Sequence, residues 1–323
     1  MRILYVNQDA GINWCGYVGN ATHIQSVLRA MRRLGHTVHI LVRTAPQCPC
    51  PVDLDIPCYL RSEDVPWDQF DSVYERYSLW GDLSLNHLLP WVLEINAPLI
   101  EEQMRYRAPI DVARAMQIRD AVCRRVQRIV VISSSLSPYV TSDAQTKITV
   151  MPNCVDRQMF YPQPLPQSFA FGYVGSMRPW HDLDTTLEAF VLLHPRYPGI
   201  DFHVIGSSAR ETHYREKYMN PHIHFHGLVP PTQVPTFLGQ ITCGMAPFTV
   251  DTPGYFSPLK IQEYLATHRT VLTHPKFAEF PVVTEGVEGL TATLDAMERQ
   301  IHLNRTKLHF PNITDWSESI TLL

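Results

Sequence analysis

The stretch Tyr255-Phe-Ser-Pro-Leu-Lys-Ile-Gln-Glu-Tyr264 holds the densest set of residues able to handle an anion. Ser257 followed by Pro258 reads as a helix N-cap with proline at the first helical position. Lys260 then falls in the first turn, where the helix dipole favours anions and opposes a cation. A bound diphosphate would remove that conflict by meeting the free N–H groups and the Lys260 ammonium together. Glu263 lies one turn on and on the same face. Its carboxylate is placed to accept from two vicinal hydroxyls, such as those of a ribose. The competing reading is a surface helix carrying an ordinary i, i+3 Lys–Glu pair.

A second stretch, Gly172-Tyr-Val-Gly-Ser-Met-Arg-Pro-Trp-His-Asp-Leu-Asp184, reads as strand, loop and helix start. Arg178 and His181 then sit beyond the carboxyl end of a strand, where α/β sheets bind ligands. Arg178 could fork onto phosphate oxygens, and His181 could donate to a phosphate or a sugar hydroxyl. Asp182 reads as a plain N-cap. Asp182-Leu-Asp184 and Asp53-Leu-Asp55 also spell a two-carboxylate metal motif, a weak match set aside here. In the loop from Gly11 to Gly19, Gly16 and Gly19 could let the backbone approach a phosphate or an acceptor. This loop is not a dinucleotide fingerprint. Finally, Leu93-Glu-Ile-Asn-Ala-Pro98 ends an apolar run with Glu94 and Asn96. A buried carboxylate must be paired or functional; the structural reading of Glu94 is a hydrogen bond to a neighbouring loop, with Arg76 as one candidate partner.

The elements that must position these residues follow from periodicity. Ile3–Val6 and Val38–Val42 are apolar runs around a helical pattern at Ile24, Val27, Leu28, Met31 and Leu34, closed by Gly35. This is a βαβ opening, hence a parallel sheet with right-handed crossovers. Further strands are expected at 72–74, 91–95, 129–132 and 148–151, and a helical region at 101–128 broken by Pro109. The Pro-dense segment Tyr161 to Gln167 reads as an interdomain linker. After it the rhythm restarts, with strands at 169–174, 202–205, 223–225, 244–248 and 271–273. Helices are expected at 182–194, 231–238 and 258–266. The fold class is therefore α/β, as two doubly wound Rossmann-like domains facing across a cleft. The first spans 1–166 and the second 167–312.

Bulk properties narrow the function. The chain has 323 residues, 45% hydrophobic and 18% charged, with a net charge of −4. No basic domain points to nucleic acid. Arg29, Arg32 and Arg33, and Arg124, Arg125 and Arg128, read as solvated helix faces, with a weak membrane-surface contact as the alternative. Seven cysteines at irregular spacing do not read as a disulfide framework, nor Cys48, Cys50 and Cys58 as a zinc site. The opening strand does not read as a signal peptide, and no apolar run reaches the roughly 20 residues of a membrane span. A cytoplasmic setting is expected.

Together these segments resemble glycosyltransferase family 4, from Met1 to about Gly289. The most specific elements are Met151-Pro-Asn-Cys-Val-Asp156 with Phe160, Val174-Gly-Ser-Met-Arg-Pro-Trp-His181, His203-Val-Ile-Gly206 and Ser257 to Ala266. The resemblance implies a GT-B fold, a nucleotide-diphosphosugar donor, retention at the anomeric carbon and no metal cofactor. Asp315 to Ile320 resembles the family's last helix, which implies that a C-terminal helix within 313–323 packs back on the first domain. It implies Glu94, Asn96, Arg178 and Lys260 as catalytic residues. It implies donor binding by Gly16, Gly19, Arg178, His181, Gly206, Tyr255, Ser257, Pro258, Leu259, Lys260 and Glu263. Tyr255 stands where the family's paired-glutamate motif has its first Glu, His181 where Lys is common and Asn96 where His is common. The expected function is retaining transfer of a sugar to an acceptor hydroxyl on a glycan, a lipid-linked sugar or a small molecule. The alternatives are a sugar-nucleotide epimerase and a non-catalytic, nucleotide-sugar-binding partner subunit.

Overall fold

The computed structural model describes residues 1–46, 51–106, 110–249, 251–274, 291 and 314–321. Cys48, Cys50, Pro109 and most of the chain beyond His274 lie outside these residues. A seven-stranded sheet, in the order β3-β2-β1-β4-β5-β6-β7, contains β1 (Arg2–Asn7), β2 (Thr37–Val42), β3 (Cys58–Tyr59), β4 (Ser72–Arg76), β5 (Trp91–Ile95), β6 (Arg128–Val131) and β7 (Ile148–Val150). A five-stranded sheet, in the order β10-β9-β8-β11-β12, contains β8 (Ala170–Val174), β9 (Asp201–Ile205), β10 (Ile223–Gly227), β11 (Cys243–Ala246) and β12 (Thr270–Thr273). All strand pairs within the two sheets are parallel. The chain therefore forms the GT-B arrangement of two Rossmann-like α/β sheets. In each, the strand order reverses beside the first strand, at β1/β4 and at β8/β11, and such switch points open a crevice for ligands.

The helices of the first sheet are α1 (Gly19–Arg33), α2 (Leu99–Tyr106) and α3 (Val112–Arg125). Those of the second are α4 (Leu183–Leu193), α5 (Glu211–Lys217), α6 (Val234–Leu238) and α7 (Leu259–Ala266), and α8 (Trp316–Ile320) follows. The apolar face of α1 packs Ile24, Val27, Leu28 and Met31 into one cluster with Ile3, Tyr5 and Ile40. Gly35, at φ +82°, ends that helix in the left-handed conformation. The short helix α8 is held by a capping box between Asp315 and Glu318. Its Trp316 is 1% exposed and belongs to the α1 cluster, so the end of the chain seals the first domain. The Pro-dense segment between the two sheets is pinned at Pro164, whose carbonyl, like that of Leu238, accepts from the buried Arg269.

Two elements were not anticipated from sequence. β3 is only two residues long, and α5 buries only Tyr214, so neither carries an apolar period. One boundary shift concerns α7. Its N-cap is Pro258, with ψ 114°, so the helix begins one residue later than the Ser-Pro pair suggests.

Gly206 lies where the carboxyl ends of the neighbouring strands β8 and β9 meet. Its φ is +126°, and a Cβ there would lie 2.2 Å from the Gly175 carbonyl oxygen. Gly206→Ala should therefore cost at least about 3 kcal/mol, from backbone strain plus a clash with main chain that cannot yield. Chemical denaturation measures this directly, and a variant as stable as the parent would show that the strand ends can separate freely.

Candidate active site

A cleft of about 320 Å³ lies between the two sheets, within the size range of small-molecule sites. The second domain lines it with Gly175 and Ser176 at the end of β8, Phe248 just past β11, and Ser257 to Lys260 with Glu263 on α7. The first domain contributes Gly19, Thr22 and His23 from the start of α1, Arg76 at the end of β4, Asn96 past β5, and Asn153.

Lys260 is the most unusual group in this cleft. It is 8% exposed, and its Nζ has no hydrogen-bond partner among the described residues. The ammonium lies 4.1 Å from the centre of the Tyr173 ring and 5.8 Å from that of Phe248. Burial pushes its pKa down to about 7, with the Glu263 charge opposing. Glu263 is 9% exposed. Burial pushes its carboxyl up, and the Lys260 charge offsets part of that rise. The two are buried rather than solvated, and they form no ion pair with each other. A surface Lys–Glu pair is thus not what the fold builds.

The start of α7 is left without a side-chain cap. The reason is tertiary. The Ser257 hydroxyl accepts from the Asn153 backbone N–H at 2.9 Å, and the Asn153 Nδ2 donates to the Ser257 carbonyl. The hydroxyl that would cap the helix is therefore spent across the cleft. The first turn of α7 thus has no side-chain cap and carries a buried cation, two features suited to holding an anion. Gly175 makes room for the cation: it lies at φ +134°, and a Cβ there would approach Lys260 Nζ to 3.2 Å.

His181 also lines the cleft, but in a fixed tautomer. Its Nδ1 lies within hydrogen-bond distance of the Ser176 carbonyl and of the Tyr173 hydroxyl, which itself donates to that carbonyl. A carbonyl can only accept, so Nδ1 carries the proton, an assignment made from the network. Burial, then the charge of Lys260, lowers the His181 pKa to about 2. The ring is thus neutral and offers Nε2 as an acceptor, suited to a sugar hydroxyl and not to a phosphate oxygen. Arg178 is exposed, lies 5.9 Å from the Trp180 ring centre, and does not line the cleft. Asp182 takes the N-cap place of α4 at φ 44°, but its carboxylate accepts from the Thr185 hydroxyl. Asp184 is held by Lys217 and Arg210, and Asp53 by Arg29. Asp53, Asp182 and Asp184 therefore already have protein partners, while Asp55 is exposed.

On the first-domain side, Glu94 is fully buried and does not reach the cleft wall. Its ion-pair partner is His23, not Arg76. His23 Nε2 lies 2.7 Å from Glu94 Oε1, and its Nδ1 donates to Asn153 Oδ1 at 2.8 Å. Burial raises the Glu94 pKa, but the charge and hydrogen bond of His23, then Arg76 and Asn96, outweigh it and hold the carboxyl below its ordinary value. Arg76 faces the cleft with a buried Nη1 that has no hydrogen-bond partner. Gly19, Asn96, His181, Ser257, Pro258, Leu259, Lys260 and Glu263 are thus brought together. Gly16, Gly206 and Tyr255 are not. The Gly16 carbonyl accepts from Gln25, Gly206 closes the strand ends, and the Tyr255 hydroxyl donates to Glu102 on α2. Sequence reading missed His23 and Asn153 as site residues. Each was visible only as part of a motif, because its partners lie far away in the chain.

Residues 168–302 match the family model described as Glycosyl transferases group 1. No curated protein sequence matches the chain. Solved structures share its fold. The sucrose-phosphate synthase of Thermosynechococcus elongatus is 13% identical with a TM-score of 0.64, over 99% of this chain and 92% of that one. The Anabaena protein Alr3699/HepE, solved in complex with UDP and glucose, is 13% identical with a TM-score of 0.65, over 100% and 94%. WaaG, a glycosyltransferase involved in lipopolysaccharide biosynthesis, is 13% identical with a TM-score of 0.67, over 98% and 93%.

The Glu94 geometry sets a pH dependence. Its folded-state value lies below the ordinary 4.5. Its contribution to stability is therefore complete above about that pH and is lost as pH falls through the folded value. Glu94→Gln should flatten this part of the decline in stability on acidification, as read from denaturation midpoints between about pH 5 and 3. Unchanged slopes would mean that the carboxyl is not ionised in the folded protein.

Proposed function

For this glycosyltransferase of GT-B fold, we propose retaining transfer of a sugar from a nucleotide-diphosphosugar to an acceptor hydroxyl, as in glycosyltransferase family 4. The reading places the protein in the subgroup with Ser-Pro-Leu-Lys-x-x-Glu-Tyr at the donor helix. The observation that carries it is the buried, unpartnered Lys260 ammonium at the uncapped start of α7. A cation in that position lacks an internal reason, because burial and the helix dipole both oppose it. A diphosphate satisfies both, since it neutralises the lysine and accepts from the free N–H groups. Glu263, one turn on and also in the cleft, is placed to hold the ribose hydroxyls. The Anabaena protein was solved with UDP and glucose, which makes UDP-sugars the first donors to test.

In this reading 167–312 is the donor domain and 1–166 the acceptor side. Lys260 and the α7 amides stabilise the departing diphosphate as its charge develops. The neutral Nε2 of His181 accepts from a hydroxyl of the transferred sugar. A diphosphate oxygen assists removal of the acceptor proton on the same face. Asn96 stands at the first-domain edge of the reacting centre. Arg178 approaches the phosphates only by leaving Trp180. The site's own cations supply the charge, so the reading requires no metal. Among the described residues no helix is long and apolar enough to cross a membrane, and the reading takes a cytoplasmic setting. The acceptor is a glycan, a lipid-linked sugar or a small molecule.

Lys260→Ala and Glu263→Ala should each lower transfer at least about tenfold, since each removes a charged contact of about 1.5–3 kcal/mol. Product analysis with UDP-, GDP-, dTDP- and ADP-sugars, with and without acceptor, measures this. It also separates transfer from epimerisation. Near-normal turnover in both variants would overturn the assignment.

A further inference from the structure

Ser257-Pro258 has a local preference that the fold overrides. In a capped helix, Ser257 would have extended backbone, Pro258 would be the first helical residue, and the Ser257 hydroxyl would accept a first-turn N–H. The Ser257 carbonyl would accept from the Ile261 N–H. In the structure neither oxygen does so. The hydroxyl is taken by the Asn153 N–H and the carbonyl by the Asn153 Nδ2. Pro258 is left extended at ψ 114°, and the Ile261 N–H reaches only the Pro258 carbonyl, at 3.2 Å.

Asn153 is itself braced from the first domain. Its Oδ1 accepts from His23 Nδ1, and the other nitrogen of that ring is bonded to Glu94. The edge of the His23 ring packs on Trp316 of α8, with centroids 4.9 Å apart. His23 is 3% exposed and Glu94 0%, so the brace has little freedom to rotate. A continuous path therefore runs from β5 through α1 to Asn153 and on to Ser257, two residues before α7.

We propose that Asn153, braced by His23 and Glu94, is a positioning residue that keeps α7 from capping itself. By occupying both oxygens of Ser257, it holds open the N–H groups that receive the donor diphosphate. Without it, Pro258 turns helical, Ser257 caps the first turn, and the serine oxygen competes with the phosphate for the same donors. The acceptor-side domain thereby sets the donor-side anion site. The proposal rests on the donor reading above.

Asn153→Ala, Ser257→Ala and the double variant test it, with UDP, GDP, dTDP and ADP titrated calorimetrically. An N-cap serine is worth about 0.5–2 kcal/mol, so the Asn153→Ala variant should bind the preferred diphosphate roughly tenfold more weakly. Alanine at 257 cannot cap. In that background Asn153→Ala should therefore cost little beyond the loss caused by Ser257→Ala alone. Equal losses in both backgrounds would overturn the proposal. Amide hydrogen exchange over 259–261, with no ligand present, supplies an independent readout. Self-capping should slow exchange in Asn153→Ala and not in the double variant, whereas exchange as fast as in the parent would overturn the relay. If no diphosphate binds the parent, the donor reading fails, and this second measurement still decides the relay. Should Asn153→Ala not fold, Asn153→Asp keeps the acceptor for His23, loses the donor to Ser257, and takes its place.

Discussion

A buried ammonium facing the positive end of a helix is a conflict that protein structure rarely tolerates, and the second domain is arranged around one. Lys260 sits between the ring of Tyr173 and the backbone of Gly175, without a hydrogen-bond acceptor. The aromatic face returns some of the solvation lost on burial, and Glu263 supplies a distant countercharge. Neither matches what a bound anion would provide. The site is therefore poised before any ligand arrives: its donors are fixed, desolvated and aimed, which lowers the reorganisation needed on binding.

Two features of the fold sustain that arrangement. The first is topology. Both sheets reverse strand order beside their first strand, so both present loop-lined crevices at their carboxyl ends, and the two crevices face one cleft. The second is the exchange of hydrogen bonds across it. Asn153 donates twice to Ser257, once from its backbone N–H and once from its side-chain amide, and Tyr255 donates to Glu102 on α2. These contacts tie the loop before α7 to the first domain, so the geometry at the start of α7 is not the property of one domain alone.

Legibility differed from element to element for physical reasons. Strands of a parallel sheet are buried on both faces and read as apolar runs, which is why β1, β5 and β8 could be placed within a residue or two. The two-residue β3 and the polar helix α5 offer no such pattern. Lys260 and Glu263 stood out because one helical turn placed them together and the lysine broke a local rule. His23 did not, since a histidine among the apolar positions of α1 has the appearance of a core residue until β5 sets Glu94 opposite it. Arg178 shows the reverse failure. Its place beyond a strand end was readable, but the direction of its side chain, out onto Trp180, was not.

The succession of strands and helices along the chain, the Pro-dense segment between the two sheets, the start of α7 to within a residue and the cation in its first turn were legible in the sequence alone. All of these depend on hydrophobic period, on turn residues and on spacings of a few positions, and neighbours in the chain settle them. Only the tertiary structure decided that Ser257 gives up its capping role, that His181 presents an acceptor, and that Glu94 serves His23 and not the cleft. Each of those outcomes turns on competition between a local partner and a distant one. The distant partner wins because burial makes an unpaired polar group too costly to leave, wherever in the chain its complement lies.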